Sequence, residues 1–423
     1  MRTIFPKVVG LLMTIVTLAG CSVNPVTGER ELSLVSEGQE RSIGQEQYVP
    51  TQQTQGGQFY LDPELTVYVR EVGQKLARVS DRPDLPYEFV VLNNSTPNAW
   101  ALPGGKIAIN RGLLVKLEDE AQLASVLAHE IVHAAARHGA QRMQQGMIIS
   151  AGMAGLGLAL SDNEWAGLVM GGAAVGAQVA LAQYSQGDEL ESDAYGIRYM
   201  HQAGYDPQAA VELQELFLAL SKGRESSWLE GLFATHPPSA RRVEENRKLA
   251  RELGANGFRG RDVYQRRTAK LRSLQPAYDA HQKAMKLASE KQLDEALAAI
   301  NTAIEMEPRE AMFYALRGRI YQSKGERERA RTDFDKAVSL YPEMFEYQLY
   351  NGLNALAMND LAKARNHLEN ANEVVPTAIG YLRLGDIAVQ QGRTQQARQY
   401  YATAAQAGGD LGAEAQQKLS RLE

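Results

Sequence analysis

Pro308, Pro342 and Pro376 follow one another at intervals of 34 residues, and the same interval separates Ala296, Ala330 and Ala364 and again Ala303, Ala337 and Ala371. A period of this length belongs to a solenoid, in which each unit is a pair of helices that buries its apolar face only against the next unit. Gly318, Arg319, Ile320, Tyr321 and Phe334 supply the small and large positions of one unit. Gly385, Ala388, Ala397, Tyr401 and Ala404 mark a fourth, displaced by one residue, and a last helix from about residue 412 caps the stack. Residues 277–423 are therefore expected to be an all-α array whose concave face suits a peptide or protein. His281 and His367 inside it are read as packing or surface residues.

The array leaves room in the 423 residues for at least one further globular unit. Hydrophobic content of 44% and charged content of 22% fit ordinary folded domains, and a net charge of −5 argues against nucleic acid as a partner. The N-terminus differs: Arg2 and Lys7 precede an apolar run over 8–19, the layout of an export signal and short for a bilayer span. Leu18-Ala19-Gly20-Cys21 closes the run and resembles the lipobox of bacterial lipoproteins, which predicts cleavage before Cys21 and lipid on it. Ser22 in the next position points to the outer membrane; the alternative is a soluble periplasmic protein with a free thiol after an ordinary signal. Cys21 is the one cysteine, so the chain has no internal disulfide.

Beyond a signal over 1–20, residues 21–35 read as a lipidated tether. Ser36 with Gln39 opens a helix to about Tyr48, and a polar loop follows over 51–58. Leu65, Tyr68, Val69, Val72 and Leu76 have helical spacing, and residues 88–92 read as a strand. Two extended runs, 98–102 and 106–110, flank Pro103-Gly104-Gly105 as in a hairpin. Asp119 with Gln122 caps the next helix. The Gly- and Ala-rich stretch 146–182 is divided by Ser161-Asp162-Asn163-Glu164 into pieces short for spanning. It predicts a buried or lipid-grazing helical hairpin, with a spanning one as the alternative. Residues 256–276 form a basic linker (Arg259, Arg261, Arg266, Arg267, Lys270, Arg272), a solvated face that would also suit anionic lipid.

The chemistry concentrates in His129-Glu130-Ile131-Val132-His133. With 3.6 residues per turn, His129 and His133 share one helix face and both reach a single Zn²⁺ at about 2.0–2.1 Å, with the Glu130 carboxylate beside it. A catalytic zinc keeps three protein ligands and an open position, so one ligand comes from elsewhere. The zincin spacing with a histidine six residues on fails, because that position is Gly139, with Ala136 in the glycine position and His138 one place early. Glu189 and Asp193 stand at i and i+4 of a predicted helix: one carboxylate can bind the metal while the other accepts the far N–H of a ligating histidine. Glu191 is expected to face solvent.

These segments, with Arg137-His138-Gly139, Thr235-His236-Pro237 and the run from Asn98 to Ile107, occur in an order that resembles the zinc endopeptidase family of HtpX and the CAAX prenyl proteases, over about residues 32–253. Gln186 departs from the family, where arginine is frequent. The resemblance implies one zinc ion held by His129, His133 and Glu189, Glu130 as base, Asp193 behind a ligand, and His236 near the metal in the resting state or the transition state. It implies a mainly α peptidase domain with a small β-sheet over 36–255, ahead of the repeats, which are of the tetratricopeptide type.

The expected activity is hydrolysis of peptide bonds in misfolded or stalled envelope proteins. Lys106, Ile107, Ala108, Ile109 and Asn110 are expected to offer a strand edge to an extended substrate. The repeats would bind clients or outer-membrane assembly machinery, with lipid on Cys21 as the anchor. Removing residues from about Tyr278 onward is expected to spare casein cleavage. The rival reading is a periplasmic chaperone or scaffold whose zinc site is structural or gated.

Overall fold

The computed structural model describes residues 21–144, 183–221, 230–254 and 256–422. The expected signal and the Gly- and Ala-rich hairpin lie outside the described residues. Strands β1 (Cys21–Val23) and β2 (Arg30–Leu32) pair antiparallel, Cys21 opposite Leu32. The expected tether is thus a ribbon. Asn24 Oδ1 accepts from Val26 N (2.9 Å) inside its turn, and Asn24 Nδ2 donates to Glu191 Oε1 (3.3 Å) on the domain behind it.

Helix α1 (Glu37–Thr54) opens on Ser36 with both bonds of a capping box. It runs past Tyr48 through the residues read as a loop, because Thr51, Gln52 and Gln53 are buried and Gln53 Oε1 accepts from Phe345 N (2.9 Å). Helix α2 (Pro63–Ala77) starts with proline where the missing N–H costs nothing, and its stripe from Leu65 to Leu76 is buried. A three-stranded sheet has the order β3 (Glu88–Leu92), β5 (Lys106–Asn110), β4 (Ala99–Leu102). β5 runs parallel to β3 and antiparallel to β4, Ala99 opposite Ile109, through a turn in which Gly104 and Gly105 take φ of 77° and 84°.

This order corrects one expectation: Lys106, Ile107, Ala108, Ile109 and Asn110 form the central strand, hydrogen-bonded on both sides, and β3 and β4 are the outer strands. Every residue of β5 is buried, so the parallel partner supplied by β3 left no edge there.

The short α3 (Arg111–Leu114) leads to α4 (Glu120–Ala135), whose first turn is capped by Asp119 Oδ1 accepting from Gln122 N (2.9 Å). Helices α5 (Gln186–Gln202), α6 (Gln208–Ser221), α7 (Glu230–Thr235) and α8 (Ala240–Leu253) complete the first unit. α5 lies close along α4 at Gly196, where a Cβ would stand 3.2 Å from His129 N.

The basic segment is helical rather than an open linker, and Arg261, Arg266, Arg267 and Lys270 are exposed on it. It forms α9 (Arg261–Arg267) and the start of α10 (Ala269–Ser289). Arg259 reaches Asp119 (2.7 Å) and Glu212 (2.6 Å), Arg272 donates to the carbonyls of Val115 (2.9 Å) and Leu117 (2.7 Å), and Lys270 donates to that of Leu61.

Helix pairs follow: α10 with α11 (Leu293–Met306), α12 (Ala311–Ser323) with α13 (Arg327–Leu340), α14 (Phe345–Ala357) with α15 (Leu361–Val374), and α16 (Ala378–Gln390) with α17 (Thr394–Ala405). α18 (Gly409–Ser420) covers the end. The six periodic alanines have no exposed surface, and each periodic proline stands just beyond a helix end, at Met306, Leu340 and Val374. The fold is mainly α with a small sheet, continued by a helical solenoid.

One apolar core joins the two parts. It passes from Leu65, Ile109 and Leu127 through Tyr264 and Leu271 to Tyr278, Ile300 and Phe313. No helix among the described residues is long and apolar enough to cross a membrane.

Candidate metal centre

The cap at Asp119 fixes the register of α4, and the 3.6-residue turn then stacks His129 over His133 with their Nε2 atoms 3.0 Å apart. α5 brings Glu189 against them: Oε1 is 3.4 Å from His133 Nε2 and Oε2 is 3.5 Å from His129 Nε2. His236, just past α7, places Nδ1 2.9 Å from Glu189 Oε1 and 3.4 Å from His129 Nε2. One donor atom from each of the four residues lies within 4.8 Å of the others.

A tetrahedron with arms of 2.0–2.1 Å has edges of about 3.3–3.4 Å, close to these separations, and nitrogen with carboxylate oxygen is a zinc-type donor set. Glu130 Oε2 and His236 Nε2 are buried without a hydrogen-bond partner among the described residues. The residues fit a metal ion.

Residues 63–250 match Peptidase family M48, residues 261–359 match Tetratricopeptide Repeats-Sensor and residues 351–411 match Tetratricopeptide repeat. The chain carries an M48 peptidase domain followed by tetratricopeptide repeats. It is 31% identical over 234 residues to the beta-barrel assembly-enhancing protease of Escherichia coli K12, covering 54% of this chain and 47% of that protein. It is 32% identical over 198 residues to the protein of that name in Yersinia pestis (45% and 40%), and 32% identical over 224 residues to the mitochondrial metalloendopeptidase OMA1 of Schizosaccharomyces pombe (52% and 64%). In each case the chain spans less than two thirds of the relative's length.

Behind its donors the M48 site is braced by charge. Asp193 Oδ1 accepts from His129 Nδ1 (2.9 Å), which leaves Nε2 of that ring free to face the cluster. Arg242 from α8 forks onto Asp193 through Nε (2.7 Å) and Nη2 (2.8 Å), sets Nη1 2.5 Å from Glu189 Oε2, and donates to the Pro237 carbonyl (3.2 Å). His133 is held differently, with its Nδ1 2.8 Å from His138 Nδ1, while His138 Nε2 lies 3.4 Å from Glu191 Oε1. With His133 Nε2 in the cluster, His133 Nδ1–H donates to His138, which keeps its own proton on Nε2 toward Glu191. Tyr184 stacks on the His133 ring at 3.6 Å and 16°.

The electrostatics follow from this bracing. Burial opposes charge on His129, but Glu189 and Asp193 outweigh it and hold the ring up at about 10, whereas burial keeps His133 well below the usual histidine value. Burial opposes charge on both carboxylates too; His236, Arg242 and His129 nevertheless hold Glu189 well below the carboxylate range, and Arg242 and His129 lower Asp193. Glu130 goes the other way, its carboxyl pushed up by burial against the pull of His236 and His129.

The structure brings together His129, Glu130, His133, Glu189, Asp193 and His236. It keeps Lys106 to Asn110 in the sheet centre and Cys21 in β1. Sequence reasoning noted Arg242 beside His236 but gave it no chemistry, and it missed the bracing role of His138. It also misplaced Glu191, which turns from solvent to face His138. A buried Asp193 needing a cation was the available signal for Arg242.

Proposed function

We propose that this chain is a zinc-dependent endopeptidase of the bacterial cell envelope that hydrolyses misfolded or stalled envelope proteins. The supporting observation is the convergence of His129, His133 and Glu189 beside a buried Glu130 carboxyl with one unpartnered oxygen, inside an M48 domain. In this reading the peptidase unit spans 36–255 and the repeats 277–423. His129, His133 and Glu189 hold the zinc, which when bound supplies Lewis acidity toward a carbonyl and toward water. Glu130, its proton affinity raised by burial, takes a proton from the attacking water and returns it to the leaving amine. Asp193 keeps the His129 proton on Nδ1, and Arg242 neutralises Asp193 and Glu189 so that neither is a bare buried charge.

Ala99 at the start of the edge strand shares a cavity of about 40 Å³ with His129, Glu130 and Phe217. In this reading an extended substrate runs along β4, recognised more by backbone bonds than by sequence. Lipid on Cys21 would hold the enzyme at the outer membrane, facing the periplasm, and the repeats would engage clients or assembly machinery.

His236 favours a gated variant of this reading. It supplies a fourth donor to a set that needs only three for catalysis, so it fills the position that substrate would use. The scaffold reading survives only if the site never opens. Protein produced without residues 1–20 is assayed for zinc and for casein cleavage, beside Glu130→Gln and His236→Ala. One zinc in each with cleavage lost only in Glu130→Gln supports the enzyme, and faster cleavage by His236→Ala supports the gate. Zinc without cleavage in any of them leaves the scaffold, and absence of zinc removes the central claim.

A further inference from the structure

Arg111 is 1% exposed, at the junction of β5 and α3. Its Nε donates to Asn93 Oδ1 (2.7 Å), its Nη2 to Ser95 Oγ (2.6 Å), and its guanidinium carbon lies 3.2 Å from the centroid of the Tyr278 ring in α10. Its Nη1 is buried with no hydrogen-bond partner, and no carboxylate among the described residues lies within ion-pair reach of it. Glu310 is committed elsewhere, accepting from the Tyr278 hydroxyl (2.6 Å), Asn93 Nδ2 (3.0 Å) and Met312 N (3.3 Å). Burial accordingly draws the Arg111 guanidinium below its ordinary value. Buried charges in folded proteins are paired, because the lost hydration must be replaced. Arg111 touches no carboxylate directly: Glu310 and Asp279 act on it only across a distance.

The space beside it has the shape to supply one. A cavity of about 360 Å³ lies between the 93–96 loop of the peptidase domain and helices α10, α12 and α14 of the repeats, with Arg111 in its wall. Two more buried atoms without partners belong to residues of the same wall, Gln55 Nε2 and His281 Nδ1. Met285, Met312, Leu316 and Met344 give the wall an apolar patch that is adaptable in shape, beside Tyr347, Tyr350 and the charged pair Arg319 and Glu346. The volume is that of a small-ligand pocket.

We propose that this cavity binds the free C-terminus of a polypeptide ending in an apolar residue, with its α-carboxylate on Arg111 and Gln55 and its last side chain among the methionines. An inorganic anion would leave the methionines without a role. A fatty acid would leave unused the amides and hydroxyls of Asn94, Ser95 and Thr96, which suit the polar backbone of a peptide. The anchoring cation comes from the peptidase domain and the apolar wall from the repeats, so the site exists only where the two are docked.

The test uses the mature chain carrying Glu130→Gln, so that nothing is cleaved, and anisotropy of a labelled nonapeptide ending in leucine. The free acid is expected to bind at least about ten-fold more tightly than its C-terminal amide, as expected for a desolvated charge-assisted pair. Met285→Glu, at a half-exposed position of the wall, places a rival carboxylate there and is expected to weaken the acid about ten-fold or more without loss of zinc. Arg111→Lys keeps the charge and loses the fork, so it is expected to bind the acid more weakly while the fold persists. Equal binding of acid and amide, no binding of either at millimolar peptide, or displacement of the peptide by decanoate at lower concentration than by the unlabelled acid would each overturn the assignment.

Discussion

At the scale of single residues, the site is two rings oriented by different means, and this can be measured. Asp193→Asn leaves the His129 ring an uncharged partner, so zinc affinity in chelator competition is expected to fall about ten- to a hundred-fold. An unchanged affinity would mean that α4 alone orients the ring. The pairing of His129 with His133 and the place of Glu130 beside them were legible in the sequence because helical geometry maps spacing directly onto a face. His138 was not, because its approach to His133 depends on a chain reversal after α4: Arg137 takes φ of 65° and is pinned by Glu40 Oε2 (2.9 Å) and the Val35 carbonyl (2.5 Å). No spacing rule encodes such a reversal. Arg242 was hidden for a similar reason, since its role exists only once α8 lies beside α5.

At the scale of elements, periodicity told most where packing is one-dimensional. The alanines of the repeats face the partner helix with no spare volume, so Ala330→Leu is expected to destabilise the array by about 1–3 kcal/mol, read as a lowered midpoint in urea. The sheet was harder to read, because β5 is buried along its whole length and carries no alternation to say whether it is central or edge. His281 in α10 adds a pH dependence with a defined sign. Burial, with Arg111 nearby, lowers its folded value from 6.5 to about 3, so the unfolded chain binds the proton more readily. Stability is therefore unaffected above pH 6.5 and is lost as pH falls from there toward about 3, by a few kcal/mol at most. Urea midpoints taken between neutrality and acid are expected to fall less steeply for His281→Gln, and identical slopes would remove this residue as the cause.

For the molecule as a whole, the sequence suggested two separable domains and the structure joins them. Tyr278 and Phe313 of the repeats lie in the same core as Leu65 and Leu127, and the Tyr60 hydroxyl donates to the Arg309 carbonyl (2.8 Å) across the junction. Truncation before Tyr278 is therefore expected to expose this core, lowering the melting temperature of the remaining peptidase unit and costing casein cleavage, contrary to the separable roles the sequence suggested. Calorimetry of the full chain is expected to show one transition spanning both parts, and two well-separated transitions would restore their independence.

The docking also breaks the symmetry of the array. A free solenoid frays from both ends, since each terminal unit has one neighbour instead of two. Here the peptidase domain holds the array from α10 as far as α14, through the shared core and the bond from Phe345 to Gln53, and α18 covers the opposite end, so opening starts there. Amide hydrogen exchange should be fastest in α17 and α18, and damage at that end should stop before it reaches His129 and His133.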